Sequence, residues 1–150
     1  MEKLPKKPLP KTLSGWITAA VEDAKALSKK RGFKLNMYEW NAINYDGTRA
    51  TCMVCLGGAC IVGRGIVAPG EIFSGDGEEI AYALDDIRSG NVEFAAKNML
   101  HSKLISWIPS KSSIERATNL IQSRYREALG RAPFETYLEA ARMMRHKPKK

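Results

Sequence analysis

Residues 51–67, TCMVCLGGACIVGRGIV, form the longest nearly uncharged run in the chain, with Arg64 as the only charge. The run holds all three cysteines and four of the twelve glycines. Apolar and small residues of these types are usually buried, and glycines let neighbouring elements approach the backbone closely. We therefore expect this segment to lie at the centre of the core.

Length and composition are those of one globular domain. A chain of 150 residues buries roughly 68–70% of its unfolded surface without staples. No apolar run reaches the length of about 18 residues that a transmembrane helix needs, and no apolar segment follows the N-terminal lysines as in a secretory signal. Because the cysteines are also odd in number, we expect a reduced, cytoplasmic protein with no membrane partner.

The net charge of +8 resides at the two ends of the chain. Residues 1–11 carry four lysines and one glutamate, and residues 142–150 carry five basic side chains and no acid. Residues 12–141 are neutral, with 15 basic and 15 acidic side chains. We therefore expect a basic, extended and solvated Pro/Lys-rich arm at 1–11, a globular helical domain at 12–141 and a basic tail at 142–150.

Helical periodicity predicts a mainly α fold, a compact bundle of five or six helices. Each predicted helix has a stripe of apolar residues at helical spacing. The stripes are Ile17, Ala20, Val21, Ala24 and Leu27; Ile80, Ala83, Leu84 and Ile87; Val92, Ala95, Ala96 and Met99; Ile114, Ala117, Ile121, Tyr125 and Ala128; and Phe134, Tyr137, Leu138 and Ala141.

Capping residues predict several helix ends. Asp76 is the expected N-cap of the helix that follows the glycine-rich loop 65–77. Ser112 and Glu115 form a capping-box pattern for a long helix that ends at Gly130. After Gly130, Pro133 opens the last helix.

A β-hairpin is predicted around residues 37–50, within a span that extends to about Cys55. The Asp46-Gly47 pair is typical of a type I′ turn, and aromatic and apolar residues precede it. After the turn, residues 52–64 fit either a buried strand or a helix of small residues. The length of this segment favours the helix.

Cys52 and Cys55 have the C-x2-C spacing that zinc and redox sites use. A closed zinc site needs four ligands, however, and Cys60, His101 and His146 have no matching spacing. We therefore interpret the cysteines as small buried hydrophobes, with a metal site at Cys52 and Cys55 as the alternative. We expect no cofactor.

Two further motifs depart from the patterns of nucleotide-binding and DNA-binding sites. Gly57-Gly58 and Gly63-x-Gly65 lack the spacing of nucleotide-binding loops, so close helix packing is the favoured interpretation. The helices predicted at 78–88 and 92–100 have helix-turn-helix spacing. Because the second of them offers chiefly Lys97 and Asn98 to DNA, an ordinary helix hairpin is favoured.

The basic ends are candidates for sequence-independent contacts with nucleic acid phosphates. The side chains concerned are Lys3, Lys6, Lys7, Lys11, Arg142, Arg145, Lys147, Lys149 and Lys150. A second candidate surface combines aromatic with polar side chains, a composition usual at binding sites. Its members are Trp40, Asn41, Tyr45, Asp46, Arg49 and Arg64. No Ser/His/Asp or Cys/His arrangement is recognisable, so no catalytic residue is predicted.

Residues 37–96 resemble uncharacterised small proteins encoded by bacteriophages and prophages. The resemblance rests on Trp40, on Tyr45-Asp46-Gly47, on the C-x-x-C-L-[AG]-G-A segment at 52–59 and on the Leu- and Asp-rich helix that ends in Arg88-x-Gly90. It implies a phage accessory protein in the cytoplasm of a bacterial host, and it carries no catalytic residues across.

Together these observations predict a non-enzymatic binding protein that engages a host macromolecule or a signalling molecule. Two alternatives remain: a nucleic-acid-associated protein that uses its basic ends, and a small nucleotide-binding protein or enzyme that uses residues 40–64. Protein binding predicts an exposed apolar patch. Nucleic-acid binding predicts steep salt dependence, and nucleotide binding predicts a pocket that contains Arg49 or Arg64.

Overall fold

A computed structural model describes residues 2–71 and 77–149. It confirms a mainly α fold with small β-sheets. The helices are α1 (Leu13–Ser28), α2 (Leu56–Gly63), α3 (Glu78–Ser89), α4 (Val92–His101), α5 (Lys111–Ser123) and α6 (Phe134–Met143), with a short 3-10 helix at Glu127–Leu129. The strands are β1 (Phe33–Leu35), β2 (Asn41–Asp46), β3 (Arg49–Val54), β4 (Trp107–Pro109) and β5 (His146–Pro148).

The predicted first helix is confirmed as α1, which forms one wall of the core. Thr12 is its N-cap, and the Thr12 hydroxyl accepts a hydrogen bond from the Gly15 N–H at 3.0 Å. All residues of the predicted stripe between Ile17 and Leu27 are buried. Through this face α1 packs against α2 and α6.

The apolar segment 51–67 lies in the core as expected, but it divides into a strand and a helix. The prediction of one helix over 52–64 is wrong for residues 52–54, which complete β3. They are extended because β3 pairs with strands on both of its sides. At the junction, the Cys55 sulfur accepts a hydrogen bond from the Gly58 N–H at 3.4 Å and caps α2, every residue of which is buried.

The β2–β3 hairpin forms, but it is shifted along the chain from the predicted residues 37–50. Its strands span residues 41–54, and Asp46 pairs with Arg49, so Gly47 and Thr48 are the central residues of the turn. Gly47 has φ 63°, which primed turns need at the first central position. A third strand, β1, adds to β3 in parallel and completes a sheet of order β1-β3-β2.

The helix pair α3–α4 is joined at Gly90, which has φ 86° and ends α3 in the left-handed conformation. The stripe predicted for α3, from Ile80 to Ile87, is buried. Asp76, the predicted N-cap, lies outside the described residues. The described part of this region begins at Gly77, which precedes the first turn of α3.

Helix α5 begins and ends earlier than predicted. Its N-cap is Ser110 rather than Ser112, and the Ser110 hydroxyl accepts a hydrogen bond from the Ser113 N–H at 3.3 Å. The helix ends at Ser123, so Tyr125 and Ala128 are exposed and do not extend the core face. The backbone pairing of Arg126 with Arg131 closes the following segment into a tight loop.

Both ends of the chain contact the folded body, although most residues of the arm are exposed. Strand β5 lies within the predicted tail 142–150 and pairs with β4. On the other side of β4, Trp107 bridges to Thr12 at the end of the arm. The arm is extended, but the Lys7 N–H donates to the Arg64 carbonyl at 3.3 Å. Among the helices described, none has the length and apolar character needed to cross a bilayer.

Candidate functional site

The side chains predicted to form one aromatic and polar surface lie in different parts of the molecule. Trp40 packs against Tyr82 of α3, with ring centroids 4.6 Å apart. At the far end of the hairpin, the exposed tip carries Tyr45, Asp46 and Arg49. Trp40 and the tip are therefore separate features.

The Asn41 side chain makes hydrogen bonds within the fold. Its side-chain N–H groups donate to the carbonyls of Ala68 at 3.2 Å and Glu71 at 3.1 Å. Its side-chain oxygen accepts from the Gly70 N–H at 2.8 Å and from the Cys52 thiol at 3.2 Å. These bonds fasten the start of β2 to the loop that follows α2.

Arg64 belongs to a buried ion network at the end of α2. Its Nε donates to Asp23 Oδ2 at 3.1 Å, and its Nη1 donates to the Pro8 carbonyl at 3.0 Å. Lys7 donates to the other oxygen of Asp23 at 3.1 Å. Burial raises the pKa of the Asp23 carboxyl, and the two cations oppose that shift. The network ties the arm to α1 and α2.

All three cysteines are free and buried, as the interpretation of small hydrophobes requires. Burial raises the pKa of the thiols of Cys52, Cys55 and Cys60, which disfavours a reactive thiolate. Among residues 2–71 and 77–149, no group of three or more histidine, cysteine and acidic side chains is placed to hold a metal ion.

The glycines of the central segment lie at close contacts between elements. A Cβ atom on Gly57 would lie 2.7 Å from the Ala81 carbonyl oxygen of α3. A Cβ atom on Gly58 would overlap the Trp40 carbonyl oxygen, and one on Gly63 would lie 2.8 Å from the Asp23 side chain. These contacts explain the glycines by packing, without a phosphate-binding role.

A side-chain hydrogen bond joins helices α3 and α4. Asn98, one of the side chains considered for DNA recognition, donates to the Asp86 carboxylate of α3 at 2.9 Å. A side chain that is bonded within the helix pair is not available to base edges.

The structure brings the two basic segments of the chain to the same small sheet. The Lys11 carbonyl accepts hydrogen bonds from the N–H groups of Ser106 and Trp107, on one side of β4. On the other side of β4 lies β5, which carries Lys147. Lys150 lies outside the described residues. Lys11 and Lys147 therefore lie on segments that flank the same strand, although they are at opposite ends of the sequence.

Next to this sheet lies an apolar groove of about 450 Å³ between α4, β4 and the start of α5. We call it the α4–α5 groove. Its apolar lining comprises Ala96, Met99, Leu100, Ile108, Pro109 and Ile114. Leu100 is 52% exposed, and Phe94, two turns earlier on α4, is also exposed. Exposed apolar side chains of this size are typical of interaction sites.

The polar lining of the α4–α5 groove is mainly cationic. Lys97, Lys111 and Lys147 contribute positive charge, and Glu93 is the acidic residue among the lining side chains. These lysines come from α4, α5 and β5, so each wall supplies one. The groove therefore combines an apolar floor with a positive rim.

Sequence reasoning missed this groove, although it named Lys147 and Lys97 for other reasons. The available signal was Leu100, an apolar side chain of α4 outside the predicted stripe. Comparisons with protein families, curated proteins and solved structures found no match to this chain.

Proposed function

We propose that this chain is a non-enzymatic binding protein whose α4–α5 groove takes an acidic amphipathic segment of a partner protein. The observation that carries the proposal is the apolar groove with its rim of Lys97, Lys111 and Lys147. An amphipathic helix binds such a groove through its apolar face, and acidic residues beside that face pair with the lysines.

The resemblance to phage and prophage proteins gives this proposal a biological setting. In that setting the partner is a protein of the bacterial host, and binding alone is the activity. The buried thiols with raised pKa values also support a role without nucleophilic catalysis.

A second candidate function, binding of nucleic acid by the basic ends, is favoured by their convergence on β4. A phosphate backbone is bound by several cations on one surface, and the exposed residues Lys11 and Lys147 belong to segments on either side of β4. The aliphatic floor of the groove is the reason to prefer a protein, because nucleic acids bind largely through cations and aromatic stacking.

The test is a titration of the isotopically labelled full chain with two synthetic helical peptides, followed by NMR. The peptides share one apolar face, and the polar face is acidic in one and basic in the other. The acidic peptide should shift the resonances of Met99, Leu100 and Ile108, and the basic peptide should leave them unchanged. A DNA duplex of 20 base pairs is the third probe. If only the duplex binds, the second candidate replaces the first.

Matched variants locate the binding site. Leu100→Glu should abolish peptide binding, whereas Leu129→Glu, at a leucine that is similarly exposed outside the groove, should leave it intact. Lys111→Glu should weaken it several-fold to tenfold, because an exposed ion pair contributes about 0.2–1 kcal/mol and the variant replaces this attraction with a repulsion of similar size. Arg116→Glu makes the same charge change on α5 outside the groove lining. Equal losses in the members of either pair would contradict the proposal.

A further inference from the structure

A second pocket, of about 350 Å³, lies where the segment before β2, the start of α2 and helix α3 meet. We call it the aromatic pocket. It is lined by Met37, Tyr38, Trp40, Cys55, Tyr82, Asp85 and Arg88. None of these residues lines the α4–α5 groove, so the two sites are independent.

The aromatic side chains of this pocket are accessible. Tyr38 is 76% exposed, and Tyr82 is also exposed. The Tyr82 ring is tilted by 36° against the ring of Trp40. Accessible aromatic side chains at a concave site provide a surface on which the planar ring of a base stacks.

The polar groups of the pocket form a fixed ion pair. Arg88 donates to Asp85 Oδ1 through Nε at 3.0 Å and Nη2 at 2.9 Å, and its Nη1 donates to the Gly130 carbonyl at 2.7 Å. The guanidinium is therefore held in place from two sides. Both contacts with Asp85 fall on Oδ1, which leaves Oδ2 of this partly exposed carboxylate to a ligand.

This pair presents both kinds of hydrogen-bonding group without net charge. A carboxylate has about four acceptor positions, and a guanidinium has five N–H donors, so each retains capacity beyond the contacts in the pair. Because the two charges cancel, the pocket suits an uncharged polar ring better than a free anion or cation.

We propose that the aromatic pocket binds the guanine base of a nucleotide. Guanine presents two adjacent and nearly parallel N–H donors, N1–H and the 2-amino group, which the Asp85 Oδ2 atom accepts together through its two acceptor positions. Its O6 atom lies beside N1–H and is an acceptor that a guanidinium meets. Adenine presents an acceptor at N1, which opposes the Asp85 carboxylate. The ring stacks on the tyrosines, and the phosphates remain outside the pocket.

The experiment is calorimetry and NMR titration of the full chain with guanosine monophosphate at constant ionic strength. The expected result is binding with resonance shifts at Tyr82, Asp85 and Arg88. Inosine monophosphate, which lacks the 2-amino group, should bind roughly tenfold more weakly, because one charge-assisted hydrogen bond is lost. Adenosine monophosphate and ribose 5-phosphate should not bind. A single-stranded pentanucleotide with one guanine identifies the source of the base: tighter binding than the mononucleotide indicates a strand, and weaker binding indicates a free nucleotide.

Two tyrosines of similar exposure provide the matched variants. Tyr38→Ala should weaken binding of guanosine monophosphate, whereas Tyr45→Ala, at the hairpin tip, should leave it unchanged. Asp85→Asn should abolish the preference for guanosine over inosine monophosphate. Equal affinity for guanosine and adenosine monophosphate, or no shift at Tyr82 and Asp85 at millimolar nucleotide, would overturn the proposal. Neither result bears on the peptide titration of the α4–α5 groove.

Discussion

The absence of a side chain at Gly58 allows α2 to pack against the segment before β2. The residue lies in the first turn of α2, directly against the carbonyl oxygen of Trp40, and a Cβ atom there would overlap that oxygen. The obstacle is backbone, which cannot move aside as a flexible side chain can. This contact also positions Trp40 at the aromatic pocket, so packing and the candidate site depend on the same residue.

We expect Gly58→Ala to destabilise the protein by about 3 kcal/mol or to prevent folding, because overpacking forces a backbone shift. Urea denaturation, with the native fluorescence and circular dichroism signals as reporters, measures the change. Gly47→Ala is the control: nothing lies within 4 Å of its Cβ position, and only its φ of 63° opposes the substitution. That strain costs about 1–2 kcal/mol. A larger loss at Gly47 than at Gly58 would contradict this account of α2.

For single residues, the sequence predicts which residue types belong to a site better than it predicts which residues they contact. Trp40 was a candidate from composition alone, and it does line a pocket. Its neighbours Tyr82, Asp85 and Arg88 belong to a helix for which sequence reasoning named no binding residue. Arg64 was named as a member of the same surface as Trp40, whereas the structure pairs it with buried Asp23.

The helices were predicted well and the strands poorly. A helix is marked by the pattern of nearby residues, whereas a short strand depends on pairing with a segment that is distant in the sequence. The stripes of α1 and α3 are local patterns, and they are buried as predicted. Strands β1, β4 and β5 have three residues each and pair with distant segments, so no local pattern marks them. The periodic pattern of α5 continues to Ala128, but the helix ends at Ser123. Beyond it, the bond from Arg88 to the Gly130 carbonyl holds the loop in place of another helical turn.

The pairing of β5 with β4 should depend on pH through His146. The His146 Nε2 accepts from the Ser14 N–H at 3.5 Å, at the N-terminal end of α1. Burial lowers the pKa of this histidine below the ordinary value for a histidine, so the neutral form is favoured in the folded protein. The stabilisation is present above the unfolded pKa and is lost as the pH falls from there through the folded pKa. A protonated ring cannot accept this hydrogen bond and is repelled by the helix N-terminus.

Hydrogen exchange followed by NMR measures this effect at two strand-associated amides. The Ser110 and Lys149 N–H groups donate to the Arg145 and Ser106 carbonyls. Their protection factors should fall between pH 7.5 and pH 5, while those of α1 remain high. His146→Gln should remove the pH dependence, and His101→Gln, at an exposed histidine, should preserve it. Unchanged protection at pH 5 in the wild-type protein would refute the role of His146.

Over the whole molecule, the two ends of the chain differ from the body in charge, but contacts join them to it. The charge pattern divides the chain into a neutral body and two basic ends. The contacts instead join those ends to the body, through the Lys7–Asp23 ion pair, the bond from Arg64 to Pro8 and the β4–β5 pairing. Charge is a property of composition and is visible in the sequence, whereas these contacts depend on the completed fold.

Removal of both ends should therefore unfold part of the protein as well as remove charge. In a chain of residues 12–141, Asp23 loses Lys7, Arg64 loses the Pro8 carbonyl, and β4 loses β5. The Lys7 side chain is 46% exposed and Asp23 keeps Arg64, so the lost ion pair contributes only about 1 kcal/mol. The lost β4–β5 pairing adds to this, and we expect a measurable loss of stability in thermal and urea denaturation. A truncated chain as stable as the full one would show that the ends contribute no folding energy.

Truncation removes both the charge and the contacts of the two ends, whereas substitution of exposed lysines removes the charge alone. The side chains of Lys3, Lys6 and Lys147 are exposed, and no ion pair or hydrogen bond of these side chains is found among the described residues. The triple Lys→Gln variant should keep the stability of the full chain, because exposed substitutions change it by only about 0.5 kcal/mol each. If the ends bind nucleic acid, this variant should bind the 20-base-pair duplex more weakly, with a shallower dependence of affinity on salt, since fewer counterions are released. If the duplex binds the variant and the wild-type protein equally, these lysines make no phosphate contacts, and the convergence of the two ends serves the fold.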